Sequence, residues 1–182
     1  MRRMILAILS VLAVSAGAFA QSSDEIEKAL LAAPRQLSEG ATVISWNADF
    51  TYETLKEGTN RLVCYDRSGQ PAQQPFAVEC TSIANLDRVA QSMRIEAANA
   101  DPAERRAAFE ALERAGDWPP PEFGSVFINL NGPDQERARS HTTVAVPGAT
   151  GASLGLPEGG AGGGAWIMNA GTSAAHIMVP GA

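Results

Sequence analysis

The sequence predicts an α+β domain: a mostly antiparallel sheet with an N-terminal helix, a central helical pair and one disulfide. Three observations lead there. Runs rich in β-branched and aromatic residues (41–81) give way to a stretch of helical periodicity (84–116), and a second strand-rich block (125–179) follows. Grouping strands and helices, instead of alternating them, builds antiparallel pairs with helices gathered against the sheet. Finally, Cys64 and Cys80 form an even pair around a turn-rich segment, as expected of a disulfide in an exported chain.

In order, Ser22 to Ala33 reads as a short amphipathic helix. Asp24 is a candidate cap with Glu27 three residues on, and Ile26, Ala29, Leu30 and Ala33 recur at helical spacing. Pro34 ends it. Ala41–Trp46 alternates and is rich in β-branched residues, so a strand is expected. Arg61–Tyr65 and Phe76–Thr81 are two more, separated by Asp66-Arg67-Ser68-Gly69, Pro71 and Pro75, which are turn residues. The disulfide therefore clamps the two arms of a loop or irregular hairpin, and closing a loop of that size is worth about 3 kcal/mol.

Ile83, Leu86, Val89, Ala90, Met93 and Ala97 define one apolar helix face. A second helix starts at Asp101-Pro102-Ala103-Glu104, with an N-cap, a proline at the first helical position and an acid at the third. Phe109 and Leu112 are expected to face inward, and Gly116 to cap the end. Pro119–Pro121 is a stiff connector. Ser125–Asn131 and Thr142–Val146 are strands, and Trp166–Ala170 with Ala174–Val179 form a closing hairpin.

Residues 1–20 have the three parts of a cleavable secretory signal. Arg2 and Arg3 are the positive region, Met4–Val14 the apolar run, and Ala18-Phe19-Ala20 the small-residue cleavage pattern. The run is too short for a membrane span of about 20 residues. Residues 21–182 then form one domain in a periplasmic or secreted setting, with no stable membrane anchor. Losing Arg2 and Arg3 takes the formal charge from −6 to −8. That balance, with no basic run, argues against nucleic acid or an anionic membrane surface as partner.

The glycine-rich segment 157–165 lacks the lysine and the following helix of a phosphate-binding loop, and reads as a flexible surface loop. His176 and Met178 share a face if their segment is a strand. Imidazole beside thioether is a donor set for Cu(I), which His141 and Met168 are placed to join. A packed histidine with methionine filling the core is the structural alternative. For hydrolysis, His176 could serve Ser173, Thr172 or Ser140. Ser140 and His141, as strand neighbours, point to opposite faces and cannot pair. No nucleophile elbow, dinucleotide fingerprint or haem motif is present.

Several phrases together resemble a family of small exported bacterial proteins of no assigned activity. They are Ala32-Ala33-Pro34, Ala41-Thr42-Val43-Ile44, Gly58-Thr59-Asn60, and a C-terminal block from Leu154-Gly155-Leu156-Pro157 through Trp166-Ile167-Met168 and Ala170-Gly171-Thr172 to Ala175-His176-Ile177-Met178-Val179-Pro180. The resemblance implies that His141, His176 and the cysteines belong to one architecture, and it implies no reaction. The chain departs from the family pattern at Arg61-Leu62, where the pattern has Gly-Trp, and at Arg139-Ser140, where it has Gly-Pro. The leading expectation is a non-enzymatic binding or accessory domain for a protein or small ligand, without a cofactor. Gly159–Gly164 and Pro119–Pro121 are its contact regions. A periplasmic copper-type protein using His176, Met178 and His141 comes second, and a small secreted hydrolase third.

Overall fold

The computed structural model describes residues 23–179; the expected export signal of residues 1–20 lies outside them. Helix α1 (residues 23–29) runs into a 3-10 turn over Leu30–Ala32, and the one-turn helix α2 (Arg35–Ser38) follows. Next come β1 (Thr42–Trp46), β2 (Tyr52–Lys56), β3 (Leu62–Asp66) and β4 (Phe76–Ser82). The helical pair is α3 (Leu86–Ala98) and α4 (Pro102–Ala115). Strands β5 (Val126–Gly132) and β6 (Arg139–Ala145), the one-turn helix α5 (Gly151–Leu154), and the hairpin of β7 (Trp166–Met168) and β8 (His176–Met178) complete the chain.

All eight strands form one sheet in the order β2-β1-β3-β4-β5-β6-β8-β7. Among the described residues only the β1–β3 pair is parallel. The expected α+β class, the mostly antiparallel sheet and the Cys64–Cys80 disulfide are all present. The cysteines sit directly opposite one another on β3 and β4.

Each face of the sheet is covered by different helices. Ala29 and Ala32 pack against Val43, Cys64, Val78, Cys80 and Ile128 on one side. Leu86, Val89 and Met93 of α3 pack against Ile44, Val63 and Tyr65 on the other. Covered on both faces, β3 reads Leu-Val-Cys-Tyr without polar alternation, the pattern of a strand with no solvated side. A smaller cluster of Val146, Ile167 and Ala175 seats the closing hairpin.

Local differences from the sequence reading have physical causes. Helix α1 already includes Ser23 and Asp24, so Asp24 is not its cap. Strand β2 was not foreseen, because Glu53 and Lys56 interrupt its apolar character; it is an edge strand whose first three residues are exposed. Ile83 lies in a 3-10 turn before α3 and is exposed, since the tighter winding rotates it off the apolar stripe. Helix α4 has the expected ends: Asp101 accepts from the backbone N–H groups of Ala103 and Glu104, and Gly116 closes it at φ 73°. Yet no residue of α4 is buried, and Phe109 and Leu112 are only half covered. Pro121 is buried and Pro119 half-buried, leaving Pro120 alone exposed in the expected contact region.

One turn depends on close backbone approach. A Cβ on Gly58 would stand 2.4 Å from the Thr42 nitrogen and 2.5 Å from the Gly40 oxygen. Both neighbours are backbone, so neither can swing aside. Gly58→Ala is expected to destabilise by about 2 kcal/mol through overpacking. Urea unfolding with an unchanged m value would register it.

Candidate functional site

The α3 side of the sheet carries a polar row that the strand registers assemble. Tyr65 on β3 opposes Glu79 on β4, Glu79 opposes Asn129 on β5, and Asn129 opposes His141 on β6. Directly paired residues have Cβ atoms about 5 Å apart, so four hydrogen-bonding side chains form a continuous line across four strands. Tyr65 is fully buried beneath α3. The rest of the row floors a cleft of about 490 Å³ between the sheet, α3, the Trp118–Pro121 connector and the closing hairpin. That volume falls within the usual range for small-molecule sites.

Two arginines enter the cleft with opposite degrees of compensation. Arg67 comes from the β3–β4 turn and is 3% exposed. Its Nη2 donates to Glu96 at 2.5 Å and its Nε to Gln70 at 2.7 Å, while Nη1 lies 3.8 Å from Glu79. Burial raises the Glu79 carboxyl above the ordinary range, with the Arg67 charge opposing and the Glu96 charge adding to the rise. Burial also holds the Tyr65 hydroxyl well above the usual phenol value, reinforced by the Glu79 charge opposite. No hydrogen-bond partner reaches that hydroxyl among the described residues.

Arg88, in the first turn of α3, is the second. It is 7% exposed, donates from Nη1 to the Pro119 carbonyl at 2.6 Å, and lies 3.5 Å above the Trp118 ring centre. Burial lowers it to about 10 against the opposing charge of Glu113. No carboxylate stands within ion-pair distance of it among the described residues.

The region is pinned by Asn85, fully buried at the head of α3. It donates to Thr81 Oγ1 at 2.8 Å and to Ser125 Oγ at 2.9 Å, and accepts from the Glu122 N–H. Beyond Trp118 a second hollow of about 690 Å³ continues along α4, sharing Phe109, Trp118, Asn169 and Ala174 with the first.

Helix α4 closes this side through one clasp. Glu113 accepts from the Ser173 backbone N–H at 2.6 Å and from its hydroxyl. Partial burial would raise Glu113, but the two Ser173 bonds outweigh it and hold the carboxyl below its usual range. Glu113→Ala is expected to speed hydrogen exchange at the Ser173 amide by about tenfold or more, as loss of hydrogen bonds to a charged group does. Exchange in β3 and β4 should stay unchanged.

The histidines expected from the sequence both line the cleft. Strand β6 begins at Arg139, earlier than expected, so His141 lies within it. His176 pairs with Ala145, four residues along β6 from His141, which puts the two about 13 Å apart along the strands. Met178 pairs with Thr143 and Met168 with His176, all on this same face. His176 Nδ1 is 2.8 Å from the Ala174 carbonyl oxygen. A carbonyl can only accept, so Nδ1 carries a hydrogen, and Nε2 is the ring nitrogen not engaged by that bond.

Other expected partners are held apart. Ser140 pairs with Leu130 on the opposite face, and Ser173 is engaged by Glu113. The 157–165 segment has a single 3-10 turn, Gly160–Gly162, and does not line the cleft. Among the described residues no group of three or more His, Cys, Asp or Glu is placed to hold a metal ion. No described helix is long and apolar enough to cross a membrane.

Sequence reading missed Arg67, Glu79, Arg88, Trp118 and Asn129 as cleft residues. Arg67 sits in a turn motif and Arg88 on a helix, where a charge normally means solvent. Glu79 did carry a signal: it is an acid in the middle of Phe-Ala-Val-Glu-Cys-Thr. No protein-family model, no curated protein and no solved structure matches this chain.

Proposed function

We propose that this is an exported domain, periplasmic or secreted, that binds a small molecule in the cleft between α3 and the sheet without transforming it. The carrying observation is the Glu79–Asn129–His141 row lining a cavity of ligand size. A few convergent polar groups among aromatic walls are the usual makeup of a recognition site. Binding is favoured over hydrolysis because the hydroxyls that could serve His176 are engaged elsewhere: Ser140 lies on the opposite face, Ser173 donates to Glu113 and Thr172 to the Asn169 carbonyl. The signal-like residues 1–20 and a formed disulfide support the oxidising setting. The test is an NMR fragment screen on residues 21–182. Hits should cluster on Asn129, His141, Thr143 and His176. An empty screen, or hits confined to another face, overturns the reading.

A second reading keeps the copper-type role with a changed ligand set. Register places Met168 opposite His176 and Met178 two residues along, so imidazole and two thioethers share the sheet edge. The Nδ1–Ala174 bond orients the ring as partners of metal-bound histidines do, and the donors suit Cu(I). Under this reading a thermal melt with Cu(I) gains several degrees, lost in Met168→Leu and retained in His141→Ala. A flat melt removes it.

A further inference from the structure

We propose that the cleft is built for a small organic acid whose carboxylate or phosphate sits on Arg88; this rests on the ligand-binding reading above. Buried charges are paired as a rule, because an isolated one forfeits its hydration. Arg67 obeys that rule through Glu96 and Glu79. Arg88 is buried nearly as deeply and has no carboxylate within ion-pair distance among the described residues; the Glu113 charge acts on it only from farther off, and that carboxylate is bonded to Ser173.

A guanidinium has five N–H donors, and among the described residues one acceptor meets those on Arg88, the Pro119 oxygen. Among the described residues the buried side-chain nitrogens left without partners are Trp46 Nε1 and Trp118 Nε1. The Arg88 nitrogens are not among them, so those unpartnered in the protein retain access to the cleft they line. The depressed value near 10 fits a cation short of compensation. It is still charged at neutral pH.

The chemistry of the missing partner follows. A planar guanidinium already stacked on Trp118 presents its edge, which matches the two oxygens of a carboxylate or phosphate. Around it stand Val89, Phe109, Phe127 and Pro121, walls for an apolar body. The Asn129–His141 pair lines the same cavity and suits a polar group of the ligand away from its acid. The ligand is therefore an acid with an apolar or aromatic body.

The deciding experiment is an NMR titration of the disulfide-bonded protein, residues 21–182, with three probes of one shape: phenylacetate, phenyl phosphate and the neutral phenylacetamide. At least one acid is expected to bind tenfold or more tightly than the amide, and which acid leads tells carboxylate from phosphate. In Arg88→Gln that preference should vanish; in Arg88→Lys part of it should survive. Equal affinity for acids and amide in the unmutated protein overturns the inference, and that comparison needs no variant to fold. The fragment screen separates the two failures. Neutral fragments in the cleft with no preference for acids sink the Arg88 assignment alone, whereas an empty cleft sinks both.

Discussion

Replacing Arg67 with Met is expected to lower stability by about 3–5 kcal/mol at pH 7, the usual penalty for stranding a buried charge. Met keeps much of the side-chain volume, so a packing defect is not the main cause. What disappears is the cation facing Glu96 at 2.5 Å and Glu79 at 3.8 Å. Two carboxylates then share a desolvated corner, a situation that forces one of them to hold its proton. In a domain of this size the loss corresponds to roughly 10 °C in melting temperature.

The pH dependence distinguishes this account from simple misfolding. In the native protein Glu79 is already raised by burial, with Arg67 resisting the rise. A carboxyl raised on folding binds more protons in the native state than in the unfolded one. Its contribution is therefore intact below the ordinary carboxyl range and fades as pH climbs through the native value. Removing Arg67 pushes Glu79 higher still and widens that window upward. Urea melts at pH 5 and pH 7 should show the Arg67→Met penalty shrinking at the lower pH. A penalty of equal size at both would sink the explanation. Glu113 has the opposite sign: its lowered carboxyl contributes above the usual range and loses its contribution as pH falls. Adding Glu79→Gln and Glu96→Gln to Arg67→Met should recover most of the loss, because the unpaired charges are then gone.

Why these residues were hard to see in the sequence is a matter of range. Elements stabilised by neighbours in the chain were legible: the Asp101-Pro102 start and Gly116 end of α4, the Leu86–Met93 stripe of α3, and the paired cysteines. The helix signals rest on interactions within a turn or two of the chain, and the cysteines announce themselves by residue type across a separation of 16. The cleft depends instead on strand register, which brings Tyr65, Glu79, Asn129 and His141 together from positions far apart in the chain. Nothing in the Asp66-Arg67-Ser68-Gly69 turn tells that Arg67 folds inward, since its acidic partner Glu96 lies on a helix 29 residues away. His141 and His176 were visible as residue types. That they face one cavity from opposite ends is a property of the β6–β8 pairing.

Reducing the Cys64–Cys80 bond is expected to cost about 3 kcal/mol, given the 16-residue separation it closes. In melting temperature that is a fall of roughly 6–12 °C. Dithiothreitol on the unmutated protein is the cleanest route, because no side-chain volume changes. The effect should reach the cleft as well. Cys64 and Cys80 each neighbour a member of the polar row, Tyr65 and Glu79, and the bond fixes which residues of β3 and β4 stand opposite. A one-residue slip would send Glu79 to the α1 face. Both thiols would remain buried against Val43, Val78 and Ile128, so the reduced protein should stay folded with a looser β3–β4 hairpin. Hydrogen exchange is the sensitive readout. Tyr65 and Glu79 amides should exchange at least tenfold faster after reduction, with α4 amides little altered beyond the global change. If melting falls by less than about 2 °C and those two amides keep their protection, packing alone sets the register and the disulfide is dispensable to the site.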